Sequence, residues 1–177
     1  MRLFTAIDIS GEAKDNLRAL LHRLRLAADL KWSPAENLHV TTKFIGEWPQ
    51  EGLEEMKQTL ARIPTPGAID IAIRGLGWYP NLKNPRVFWA GVHAAEPLGA
   101  LAAATDLATA KAGVPSEARP YSPHLTLARI RERVPLDALH QAIAAVGSDD
   151  FGSFRAAAFF LYLSAGGKYT KLAEFPL

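Results

Sequence analysis

One phrase of this chain occurs twice, as "HVTTKFIGE" from His39 to Glu47 and "HLTLARIRE" from His124 to Glu132, with the two histidines 85 residues apart. The surroundings repeat as well. "RLFTAIDI" (2–9) alternates in the manner of a strand. Ser10 can then cap a helix with an apolar stripe of Leu17, Leu20, Leu21 and Leu24. A turn-rich connection, Lys31-Trp32-Ser33-Pro34, leads to the strand 38–45. Pro49 opens a second helix striped by Leu53, Met56, Leu60 and Ile63, and the alternating strands 68–78 and 86–92 follow. The pattern then restarts. A helix over 96–112 carries Leu98, Leu101 and Leu107, "RPYSP" leads to the strand 124–130, and Pro135 opens a helix with Leu136, Leu139, Ile143 and Val146. Strands over 154–164 and 169–175 close the chain.

An internal repeat constrains a fold more than any single element does. Two copies of strand, helix, His-strand, helix, strand predict two lobes related by an approximate two-fold axis, with equivalent residues facing each other across a shared groove. The fold class expected is α+β: two antiparallel-rich sheets around a central groove, with helices outside. The expectation is one domain over 1–177, its lobes lying near 1–92 and 93–177 with the terminal strands free to exchange. With 49% hydrophobic residues, 177 residues suffice for one shared core.

Composition narrows the chemistry. The absence of cysteine excludes disulfides, thiolate catalysis and cysteine-type zinc sites. A formal charge of +2 does not predict binding along a long nucleic-acid track. "MRLFTAIDIS" does not read as a signal peptide, and no apolar run approaches the roughly 18–20 residues of a membrane helix. The expectation is a soluble, cytoplasmic monomer without a membrane partner.

In a strand, His39 and Thr41 share a face, as do His124 and Thr126, each pair about 7 Å apart. Facing across the groove, they would surround one cavity with two imidazoles and two hydroxyls. Cleaving a phosphodiester near neutral pH needs a base to activate the nucleophile and an acid to protonate the leaving oxygen. Histidine, with an unperturbed pKa of about 6.5, serves either role. Threonine hydroxyls and the cations Lys43 and Arg129 can hold phosphate oxygens. Strict alternation puts Lys43 on the face of His39. It puts Arg129 on the face opposite His124, unless a bulge or the strand end brings it round. A metal site would need a third ligand, and neither strand offers a carboxylate or second histidine at i+2 or i+4, so no metal and no cofactor are expected. No phosphate-loop motif suggests ATP.

These motifs resemble the His-x-Thr-x signature of the two-histidine phosphoesterase superfamily. "MRLFTAIDIS", "NLHVTTKFIGE" and "RPYSPHLTLAR" together are similar to the bacterial and archaeal RNA 2′,3′-cyclic phosphodiesterases, first described as 2′-5′ RNA ligases. The resemblance implies metal-independent hydrolysis of a nucleoside or RNA 2′,3′-cyclic phosphate to the 2′-phosphate. It implies His39 as proton donor, His124 as proton acceptor, Thr41 and Thr126 on the phosphate, and a phosphate role for Arg129. Its partners would be RNA with cyclic phosphate ends or small cyclic nucleotides. Two alternatives stay open in the sequence: ATP-independent 2′-5′ ligation of RNA ends, and binding of nucleotide or RNA ends without reaction. Tyr121 and Arg119, on the approach to His124, are candidate base or RNA contacts. Trp32, Trp48, Trp78, Tyr79 and Trp89 are further aromatics able to stack on bases. His22, His93 and His140 read as surface or structural.

Overall fold

The computed structural model describes residues 1–177. β1 (Arg2–Asp8) leads through Ser10 into α1 (Gly11–Leu24). Ser10 Oγ accepts from the Ala13 amide at 3.1 Å, satisfying a helix N-terminal donor that would otherwise lack a partner. Leu17, Leu20, Leu21 and Leu24 are buried, as their spacing predicts. The connection read as a turn contains a two-residue strand, β2 (Lys31–Trp32). There follow β3 (His39–Glu47), a 3₁₀ turn and α2 (Leu53–Ala61), β4 (Ile69–Tyr79), β5 (Val87–Ala94) and α3 (Glu96–Lys111). β6 (His124–Arg129), α4 (Asp137–Ala144), β7 (Asp150–Ala156), β8 (Ala158–Ala165) and β9 (Lys168–Pro176) complete the chain. None of the helices is long and apolar enough to cross a membrane.

Two antiparallel sheets form, one ordered β3-β1-β8-β9 and the other β2-β6-β5-β4-β7. Their composition does not follow a division of the chain at residue 92. β5 lies in the second sheet beside β6 with β4 beyond it, whereas β8 returns to the first beside β1 with β9 outside it. The run 154–164, which reads as one strand, is two. β7 pairs with β4 up to Ala156, and the chain passes at Ala157 into β8, which pairs with β1 and β9. Periodicity cannot reveal this crossing, because both segments are apolar and extended on either side of it.

Each motif strand has the same irregularity. On β3, Thr5 pairs with Lys43 and Ala6 with Thr41, so Thr42 is an extra residue. On β6, Phe88 pairs with Ala128 and Trp89 with Thr126, so Leu127 is extra. A bulge of this kind places two consecutive residues on one side and shifts the alternation beyond it. Thr42 and Lys43 are both buried, as are Leu127 and Ala128, while Phe44 and Arg129 are exposed. The bulge in each strand falls at the position equivalent to that in the other, with the 85-residue offset kept.

Val40 and Ile45 of β3, and Leu125 and Leu127 of β6, enter one core with α1 and the inward faces of both sheets. β3 and β6 approach each other to within 8 Å between Cα atoms. Because both strands turn their apolar sides into that common core, the sides bearing His39 and His124 face away from it, as the groove expected from the repeat requires.

Candidate active site

The two imidazoles are anchored alike. His39 Nδ1 lies 2.6 Å from the Asn37 carbonyl and His124 Nδ1 lies 2.8 Å from the Ser122 carbonyl, each two residues back along the chain. A carbonyl only accepts, so Nδ1 carries the hydrogen in both rings and Nε2 is left for the groove. The carbonyls of the motif threonines are held reciprocally. Ser33, leading into β3, donates to Thr126 O at 2.8 Å, and Tyr121, leading into β6, donates to Thr41 O at 2.9 Å. These cross-bonds tie each motif strand to the segment that delivers the other.

The histidines differ in their surroundings. His124 is exposed. His39 stacks on Phe4 (centroids 4.7 Å apart, planes at 27°), and Tyr169 meets its edge at 5.1 Å and 76°. Tyr162 stacks on the same Phe4 at 5.3 Å. Burial lowers the His39 pKa to about 4, against an opposing effect of its hydrogen bond to Asn37 and of the nearby Asp8 carboxylate. Asp8 in turn accepts from the Tyr162 hydroxyl and pairs with Lys171 at 2.8 Å, and the Lys171 ammonium lies 3.5 Å from the centre of the Phe160 ring. His39 is therefore neutral at pH 7.

That burial has a consequence for stability. The folded pKa lies below the unfolded value of about 6.5, so the unfolded chain binds the extra proton first. The contribution is complete above pH 6.5 and is lost as the pH falls through about 4. Up to about 3 kcal/mol of stability is at stake. Urea midpoints should fall across this window, and His39→Gln should flatten that part of the profile. An unchanged slope in the variant would place the acid sensitivity elsewhere.

The structure separates the remaining sequence candidates. Lys43 does not share the groove with His39. The β3 bulge turns it to the inner side, where it is 2% exposed and its ammonium donates to Asp106 at 2.6 Å, to the Pro115 carbonyl at 2.8 Å and to Glu117 at 3.3 Å. The ammonium holds the Asp106 carboxyl below the usual carboxylate range. Arg129 moves the other way, since the β6 bulge returns it to the groove face with His124 and Thr126. Tyr121 is half-buried with its hydroxyl committed to β3, and burial raises its pKa well above the usual phenol value. It braces the groove instead of standing free in it. Arg119 is exposed and donates to the Tyr79 hydroxyl at 2.7 Å.

Phe4, Asp8, Tyr162 and Tyr169, which surround His39, were not among the sequence candidates. The alternation of β1 could have placed Phe4 and Asp8 on one face. Tyr162 and Tyr169 come from β8 and β9, more than 100 residues away, whose joining of the β1 sheet the sequence pattern does not specify.

The likeness of this arrangement to known proteins is extensive. RNA 2′,3′-cyclic phosphodiesterase of Methanothermobacter thermautotrophicus is 32% identical over all of this chain and 99% of its own length. The protein of that name from Methanocaldococcus jannaschii is also 32% identical, over 93% of this chain and 91% of its own. Among solved structures, TT0787 of Thermus thermophilus superimposes with a TM-score of 0.80 at 29% identity, covering 100% of this chain and 98% of that one. The complex of E. coli LigT with 3′-AMP gives 0.77 at 27% identity, covering 99% and 97%. The family model described as LigT like Phosphoesterase matches two segments, 7–89 and 92–165, whose starts are separated by the same 85 residues as the histidines. Repeat, groove and relatives agree, and this chain belongs to the LigT-like phosphoesterase family.

Proposed function

We propose that the chain hydrolyses RNA or nucleoside 2′,3′-cyclic phosphate ends to the 2′-phosphate, with His39 and His124 as the acid–base pair. The observation that carries this reading is the matched presentation of two imidazoles at equivalent repeat positions, each fixed through Nδ1 to the carbonyl two residues back, which leaves each Nε2 free for a substrate. With the roles the resemblance implies, His124 Nε2 takes a proton from water as its oxygen attacks phosphorus. The bond from phosphorus to O3′ breaks, and His39 Nε2 gives its proton to O3′. The phosphate stays on O2′. Thr41 and Thr126 lie on the face of their histidines, from which their hydroxyls can donate to the non-bridging oxygens, and Arg129 on the same face adds positive charge.

The donor role requires a proton that the free His39 lacks at pH 7. The negative charge of a bound phosphate raises the imidazole pKa and so supplies the missing stabilisation of the imidazolium. Ligation is the reverse of a related displacement and uses the same groups. The test is turnover of a 2′,3′-cyclic mononucleotide with EDTA in excess, with the product's phosphate position read by phosphorus NMR. A 2′-phosphate is expected. A 3′-phosphate, or turnover abolished by EDTA and restored by a metal, would overturn this mechanism.

A further inference from the structure

The groove face of the second sheet extends well beyond His124 and Thr126. Cross-strand partners share a face, so its rows follow from the register. His124 stands beside Gly91, Thr126 beside Trp89 and then Gly77, and Arg129 between Lys31 and Val87. Two features of this face go beyond what the reaction as described uses.

The first is Trp89. A Cβ at Gly77 would lie 2.1 Å from the indole Cζ2, so the ring rests flat against the backbone of β4 where only glycine leaves room. The ring lies over β4, on the far side of β5 from Thr126, and is partly exposed on the same face. An indole laid flat on a glycine strand, half-exposed, is a stacking platform for a nucleobase.

The second is the pair Lys31 and Arg129, directly opposite each other on β2 and β6. Like charges in this position are destabilising. Both side chains are exposed, and neither takes part in any of the ion pairs of the molecule. Val87 and Tyr79 continue the same row, at whose end Arg119 bonds the Tyr79 hydroxyl. The row thus holds three cations and no carboxylate. It lies one step along the strands from Trp89, on the order of 7 Å by strand rise.

We propose that this face binds the RNA body next to the reacting end: Lys31, beside Arg129 on the reacting phosphate, takes the phosphodiester 5′ to the terminal nucleotide, and Trp89 stacks the base of the nucleotide joined through it. The substrate is then an RNA strand of at least two nucleotides, with a cyclic mononucleotide a truncated version. This rests on the phosphodiesterase reading of the groove.

The experiment compares a cyclic mononucleotide with a dinucleotide ending in the same 2′,3′-cyclic phosphate, in wild type, Lys31→Gln and Trp89→Leu. Wild type should favour the dinucleotide in kcat/KM. Trp89→Leu should lose about tenfold on the dinucleotide, within the range of one base–aromatic stack. Lys31→Gln, an exposed change that does not threaten folding, should flatten the log–log salt dependence of dinucleotide turnover by about 0.7. Both variants should turn over the mononucleotide as wild type does. Equal rates on the two substrates in wild type, or an unchanged salt slope in Lys31→Gln, would overturn the proposal. Failure of wild type on both substrates would instead count against the reaction itself.

Discussion

His39→Ala and His124→Ala should each lower kcat for a 2′,3′-cyclic nucleotide by roughly 10²–10⁴, the usual scale for loss of a general acid or base. Neither change should unfold the chain. His124 is exposed, and His39 lies at the edge of a stack that Phe4, Tyr162 and Tyr169 still form among themselves. The double variant should be little worse than either single one, because acid and base act in one step and their losses do not add. Single variants with near wild-type turnover and intact folding would refute two-histidine catalysis.

The residual activity of His124→Ala also separates the roles. With one imidazole gone, the remaining pH dependence belongs to His39, whose pKa in the free protein is about 4. A donor must be protonated, so residual kcat/KM should fall as the pH rises from about 4. The fall in kcat should come at higher pH, because bound phosphate raises the same group. An acceptor must be unprotonated, and kcat/KM would then fall as the pH drops below about 4. The second pattern would exchange the roles the resemblance implies. The intact enzyme cannot give this answer, since a bell-shaped profile has the same form whichever histidine is the acid.

The sequence carried much of this arrangement in its repeat. The matched His-x-Thr phrases and their 85-residue separation specify two equivalent strands, and the structure presents His39 and His124 through identical carbonyl anchors. Alternation alone fails at position 42 and again at 127, where the extra residue reverses the faces beyond it. A bulge is set by the pairing partner as much as by the strand itself, so periodicity within one segment cannot locate it. The repeat left the terminal strands free to exchange, but periodicity does not say that β8 and β9 join the first sheet, and so does not bring Tyr162 and Tyr169 beside His39. The duplicated fold creates near-symmetry, and the substitutions at matched positions break it. Phe44 on β3 corresponds to Arg129 on β6, an exposed ring on one strand where the other carries a cation.

The inward turn of Lys43 leads to the second large effect. Lys43→Met should cost on the order of 1–2 kcal/mol in urea unfolding, because the buried ammonium's charge-assisted hydrogen bonds are lost while the carboxylates left behind are partly solvated. For a chain of this size that corresponds to a melting temperature lower by roughly 2–8 °C. Asp106 is the group left behind; it also accepts from the Glu117 amide at 3.1 Å, and through Pro115 and Glu117 the ammonium holds the start of the segment that leads to Tyr121 and His124. Lys43→Met with Asp106→Leu should recover part of the loss, since two apolar side chains need no partners. Assayed where it remains folded, Lys43→Met should keep kcat within about a factor of ten of wild type, far above the histidine variants. A folded Lys43→Met protein as inactive as His39→Ala would place the ammonium on the phosphate. With 2% of Lys43 exposed and all three of its donors occupied, the structure gives it no path there.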